Sequence, residues 1–218
     1  MNQTPQEFLA GVRAAKLVAI VRGSCREAAT AAALALMEEG FRYVEVALTT
    51  PDAPGVIAAV RAAAPPDALV GAGTVLSVSD VREVEAAGAQ FIVTPALADS
   101  VREGVRRGLP VLAGALTPTE VHEGMSRGAT LIKLFPAFIG GPRYLKALHD
   151  PFPNVPLIAV GGVGAGDAAD YWDAGAAAVG PGSPLVGNAA SAGGDLGGMR
   201  ARAREYLRRA ADHSRGES

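Results

Sequence analysis

The apolar positions of this chain fall in short, nearly continuous runs. Leu17-Val18-Ala19-Ile20-Val21 is apolar throughout, as expected of a parallel strand buried on both faces. Comparable runs are Tyr43-Val44-Glu45-Val46, Phe91-Ile92-Val93, Val111-Leu112, Leu131-Ile132 and Ala177-Ala178-Val179. Each of these five follows a stretch of helical composition that ends in a glycine: Gly40, Gly88, Gly108, Gly128 and Gly175. A glycine there suits the left-handed residue that closes a helix. Gly88, Gly108 and Gly128 recur every 20 residues. The gaps from Gly40 to Gly88 and from Gly128 to Gly175 are about twice that, so each holds two units, with extra strands at Leu69–Ala72 and Leu157–Val160. Eight β-like runs, each followed by a helix-like stretch and joined by short links, predict a (β/α)8 TIM barrel. An open doubly wound sheet is the alternative, but no Gly-x-Gly-x-x-Gly opens a first helix. Residues 4–14 predict an N-terminal lead-in helix, and Ser214–Ser218 a frayed tail. Ser79-Asp80 and Thr117-Pro118-Thr119-Glu120 read as helix starts.

Composition narrows the class. With 218 residues and no linker, residues 1–218 are expected to form one barrel domain. Apolar residues make up 49% of the chain but never approach the ~20 in a row that a membrane span requires. The stretch Met1-Asn2-Gln3-Thr4-Pro5 lacks a basic start and an apolar core, so no secretion signal is expected. A lone cysteine, Cys25, excludes an internal disulfide and a cysteine-rich metal site. A cytoplasmic location fits these features. A net charge of −2 exerts no general pull toward nucleic acid or membrane. The basic run Arg200, Arg202, Arg204, Arg208 and Arg209, diluted by Glu205 and Asp212, reads as the solvated face of a terminal amphipathic helix. His122, His149 and His213 fall in predicted helices, on the surface, without zinc-ligand spacing, and no metal is expected.

Chemistry in a barrel sits where strands end at the C-terminal face. Lys133 interrupts the apolar run Leu131-Ile132-Lys133-Leu134, and is one of only three lysines among 20 basic residues. Burial favours the neutral amine, the form that attacks a ketone. The competing reading is a lysine snorkelling to solvent or paired with an acid. Glu45 sits between Val44 and Val46, so strand alternation points it into the lumen if the valines pack on helices. There it is a proton shuttle or a structural partner of Lys133. Gly161-Gly162 and Gly180-Pro181-Gly182-Ser183 end strands seven and eight, the usual place for phosphate in barrels, although tight turns also use such glycines. Arg22 ends strand one and suits a carboxylate clamp or simply the surface. Thr74, after Gly71-Ala72-Gly73, together with Thr94-Pro95 and Phe135-Pro136, completes the rim; each is equally compatible with turn chemistry.

Taken in order, these strand ends resemble the 2-keto-3-deoxy-6-phosphogluconate aldolase family, which includes 6-phosphogalactonate and 4-hydroxy-2-oxoglutarate aldolases. The likeness spans about residues 16–187. It is carried by Val44-Glu45-Val46, Gly71-Ala72-Gly73-Thr74-Val75-Leu76, Phe91-Ile92-Val93-Thr94-Pro95, Leu116-Thr117-Pro118-Thr119-Glu120, Ile132-Lys133-Leu134-Phe135-Pro136-Ala137, Gly161-Gly162-Val163 and Gly182-Ser183. The resemblance implies a homotrimer acting on a phosphorylated keto-deoxy sugar acid with no metal or organic cofactor. It implies a Schiff base on Lys133 and proton transfer by Glu45. Arg22, Thr74, Pro95 and Phe135 would line the pyruvyl end, and Gly161, Gly162, Gly182 and Ser183 would hold the phosphate. The chain departs from the phosphogluconate pattern at Thr49, where many members carry arginine, and at Val160, where many carry threonine. Two rival classes are a sugar-phosphate epimerase, which wants acids on several strands, and a non-catalytic phosphometabolite-binding barrel, which needs no buried amine.

Overall fold

In a computed structural model, which describes residues 3–216, the apolar runs form eight parallel strands in the spatial order β1 to β8. They are β1 Ala19–Val21, β2 Tyr43–Ala47, β3 Leu69–Gly73, β4 Phe91–Val93, β5 Val111–Ala115, β6 Leu131–Leu134, β7 Leu157–Val160 and β8 Ala178–Gly180. The helices are α1 Pro5–Ala15, α2 Arg26–Glu39, α3 Ala53–Ala63, α4 Val78–Ala86, α5 Asp99–Arg106, α6 Pro118–Ser126, α7 Gly141–His149, α8 Ala168–Asp173, α9 Ser183–Val186 and α10 Leu196–Gly216. A 3-10 turn, Ala137–Ile139, follows β6. The segment leading into β1 meets β8 through a parallel bridge between Leu17 and Val179, and Ile20 N–H of β1 donates to Pro181 O at 3.1 Å just past β8. Across that seam Val18 N–H donates to Val179 O at 3.1 Å and Val179 N–H to Lys16 O at 3.0 Å. The open-sheet alternative is thereby excluded.

The helix punctuation follows the sequence closely. Gly40, Gly88, Gly108, Gly128 and Gly175 all have positive φ. Thr117 caps α6 through a reciprocal box with Glu120. The start of α4 corrects the reading at Ser79: Ser77 is the cap, and its hydroxyl oxygen accepts from Asp80 N–H. A capping box sets the acid three residues after the cap, so Asp80 selects Ser77. The expected frayed tail is also corrected as far as Gly216, because α10 runs through it, with Arg215 paired to Asp212 on the same helix. Residues 217–218 of that tail lie outside the described residues. Among the described residues no helix is long and apolar enough to cross a membrane.

Strand alternation divides the core in two. Val44, Val46, Ile132 and Leu134 pack outward under the helices. Tyr43, Leu69, Phe91, Leu131 and Ile158 fill the lumen together with Phe8 and Val12 of α1. Phe8 lies 5.2 Å from the Tyr43 ring and 5.0 Å from the Phe91 ring. The lead-in helix therefore plugs the N-terminal end of the barrel. The basic run of α10 departs from a simple solvated face. Arg200 pairs with Glu38 and Glu39, Arg204 with Glu39, and Arg202 donates to the carbonyls of Leu185 and Val186. Of the histidines, His122 is exposed, whereas His149 and His213 are half-buried, correcting their expected surface position. Their helix faces turn inward, His213 packing on Trp172 and His149 approaching Val155 O.

Candidate active site

Two inward positions at the upper end of the lumen carry charge. On β2 the sequence of inward residues is Tyr43 then Glu45, and on β6 it is Leu131 then Lys133. Glu45 is 2% exposed and Lys133 6%. Room for the carboxylate comes from β3, where a Cβ on Gly73 would lie 2.5 Å from Glu45 Oε1. Among the described residues, neither a hydrogen bond nor an ion pair within 4.0 Å joins Glu45 to Lys133. A structural ion pair is thus not what holds them. Their fields still act on each other. Burial lowers the basicity of Lys133, Glu45 opposes that, and Arg22 adds to it. Burial raises the Glu45 carboxyl, against smaller opposing effects of Lys133 and Arg22. Burial thus brings the proton affinities of amine and acid closer together, which eases transfer of a proton between them.

Above them opens a cavity of about 310 Å³, within the range of small-ligand sites. Arg22, Thr74, Pro95, Lys133, Phe135, Gly161, Gly162, Gly182 and Ser183 all line it. Glu45 does not line it and lies within the wall beneath. The Lys133 Nζ is 5.2 Å from the Phe135 ring centroid, so an aromatic face shields one side of the amine. Thr74 takes a left-handed backbone, φ 61°, immediately after Gly73. Gly161 and Gly162 have φ 98° and 72°. A Cβ on Gly161 would press on the Pro136 backbone at 3.1 Å, so both conformation and space require glycine there. Among the described residues, the N–H groups of Gly161, Gly162 and Gly182 donate no hydrogen bond within the protein.

The family profile described as KDPG and KHG aldolase matches residues 9–200. This chain belongs to the KDPG and KHG aldolase family. A family relative, the 2-dehydro-3-deoxy-6-phosphogalactonate aldolase of Escherichia coli (strain K12), is 39% identical over 171 residues, covering 78% of this chain and 83% of its own. A KDPG aldolase from Legionella pneumophila, with pyruvate captured at low pH as a covalent carbinolamine intermediate, aligns with a TM-score of 0.79 at 28% identity, covering 95% of this chain and 97% of that one. A cube-shaped, highly porous protein cage designed by fusing symmetric oligomeric domains aligns with a TM-score of 0.86 at 33% identity, covering 93% of this chain and 74% of that one.

Sequence reasoning missed part of the wall. Ile20, Pro184, Val186 and Gly187 also line the cavity, beside Gly180 of the loop already singled out. Alternation along Leu17–Val21 carries a signal for Ile20. The α9 residues carry little, because four residues make too short a pattern to read.

Proposed function

We propose that this chain is a Schiff-base aldolase that cleaves a phosphorylated 2-keto-3-deoxy sugar acid into pyruvate and glyceraldehyde 3-phosphate. The observation that carries the reading is a buried primary amine of lowered basicity at the floor of a cavity, with a buried carboxylate of raised proton affinity behind it. In this scheme neutral Lys133 attacks the C2 ketone and forms a carbinolamine. Glu45 protonates the departing hydroxyl, and water leaves an iminium. The Glu45 carboxylate then takes the C4 hydroxyl proton as the C3–C4 bond breaks, its electrons flowing into the iminium to give an enamine. The aldehyde departs, the enamine is protonated at C3, and hydrolysis frees pyruvate and the amine. Arg22 and Thr74 suit the substrate carboxylate, with Pro95 and Phe135 as apolar walls. The unpartnered N–H groups of Gly161, Gly162 and Gly182, with the Ser183 hydroxyl, suit the phosphate. No metal or organic cofactor takes part in these steps.

The same reading takes residues 1–218 as one barrel domain working in the cytoplasm, the lone Cys25 according with a reducing compartment. It also takes the chain as a homotrimer. Phe138 and Ile139, 66% and 62% exposed beside the site, are apolar surface suited to another copy. The designed cage of fused symmetric oligomeric domains supports oligomer formation by this fold. An epimerase is disfavoured because Glu45 is the one acid among the buried lumen residues described.

Val160 lines the cavity just before Gly161 and offers no hydrogen bond to distinguish the two C4 epimers. Apolar walls discriminate weakly. Pyruvate release from both 6-phospho epimers and from 4-hydroxy-2-oxoglutarate tests the proposal. The specificity constants of the two epimers should agree within about tenfold, or ~1.4 kcal/mol. The unphosphorylated acid should be cleaved far less efficiently. Release of no pyruvate from either epimer would overturn the reading, and faster cleavage of the unphosphorylated acid would reassign the substrate.

A further inference from the structure

We infer that α10 sets the spacing of the two glycine loops at the phosphate end of the site, with Tyr206 and Arg202 as positioning residues. This rests on the phosphate assignment proposed above. Tyr206 is 1% exposed, and its hydroxyl donates to Val163 O at 2.8 Å. Val163 is the residue directly after Gly161-Gly162. One helical turn earlier, Arg202 donates from Nε to Leu185 O at 2.7 Å and from Nη2 to Val186 O at 3.2 Å. Those carbonyls belong to α9, which begins at Ser183. The two anchors therefore leave one face of one helix and end on the β7 and β8 loops respectively.

Arg202 differs from its neighbours. Arg200, Arg204, Arg208, Arg209 and Arg215 of α10 each pair with a carboxylate. Arg202 has no carboxylate partner among the described residues and directs its fork at backbone carbonyls instead. It also packs tightly under the loop, since a Cβ on Gly187 would lie 2.8 Å from its Nη2. Burial raises the Tyr206 phenol well above its ordinary range, so it remains a donor at working pH. Losing either anchor frees one loop relative to the other. The N–H groups then no longer converge on one phosphate, while Lys133 and Glu45, held by β6 and β2, are untouched.

The test uses the full chain with Tyr206→Phe, Arg202→Met and Arg202→Lys. Three quantities are read: KM and kcat on the 6-phospho substrate, competitive inhibition by inorganic phosphate, and the rate of borohydride trapping with pyruvate. Tyr206→Phe and Arg202→Met should each raise KM and the phosphate inhibition constant by about three- to tenfold, as loss of a hydrogen bond implies. Pyruvate trapping should stay within about twofold, because pyruvate carries no phosphate. Arg202→Lys should recover part of the loss, because a single ammonium can still donate to these carbonyls but lacks the planar fork. If melting temperature falls while KM and phosphate inhibition stay at parent values, the anchors are structural only and the inference fails. If trapping falls in parallel with phosphate binding, it fails as well. If inorganic phosphate does not compete even in the parent, the phosphate assignment itself is wrong and the inference falls with it.

Discussion

The two ends of the barrel lumen use the same inward strand positions for opposite purposes. At the N-terminal end Tyr43 and Phe91 point inward and close on Phe8 of α1, all three buried. Two residues further along β2, about 6.6 Å higher, the inward residue is Glu45; on β6, Leu131 gives way to Lys133. Burying an aromatic ring stabilises the fold by roughly 1.5–3 kcal/mol. Burying an unpaired amine or carboxylate costs several kcal/mol. The plugged end is where stability is generated, and the open end is where part of it is given up for a reactive amine. Separating the two along the barrel axis lets the active residues stay strained without loosening the ring that holds them.

The largest difference between the two ends is expected at Glu45. Glu45→Gln should lower turnover by ~10²–10⁴-fold, equivalent to ~2.7–5.5 kcal/mol of transition-state stabilisation. Its melting temperature at neutral pH should hold or rise. The sign follows from the raised proton affinity of Glu45. As pH rises past the ordinary carboxylate range, the unfolded chain releases this proton while the folded state either keeps it or bears a buried charge, so stability falls, and the amide removes that cost. A large fall in melting temperature with near-normal turnover per folded molecule would make Glu45 a structural residue. At the other end, Phe91→Ala should cost about 3–5 kcal/mol by leaving a cavity beside Phe8. For a chain of this length that is a drop of roughly 6–20 °C in melting temperature. Pyruvate trapping per folded molecule should change by less than about twofold. Equal losses in stability and trapping would show that the two ends are not separable.

Much of this division was legible in the sequence, for physical reasons. A glycine that must adopt positive φ is visible wherever it closes a helix, so the repeat at Gly88, Gly108 and Gly128 exposed the barrel unit. A charge inside an apolar run is visible because alternation fixes its side, which located Glu45 and Lys133. The remaining features depend on contacts between distant residues. Nothing near Arg202 indicates that its guanidinium reaches back to Leu185 and Val186, so it read as one more surface arginine. The role of α1 as a plug was hidden similarly, since Phe8 meets Tyr43 and Phe91 only after the barrel closes. Ser77 was missed as a cap because Ser79-Asp80 mimics a helix start two residues later.

Lys133 carries the proposed chemistry, and covalent trapping reads which amine reacts. Pyruvate and borohydride should leave one reduced pyruvyl group per chain, and peptide mapping should find it on Lys133 alone. Lys133→Arg keeps the charge but stays protonated, and should take up no label. An adduct on Lys16 or Lys146, or no adduct on the parent chain, would rule out Lys133 as the Schiff-base lysine.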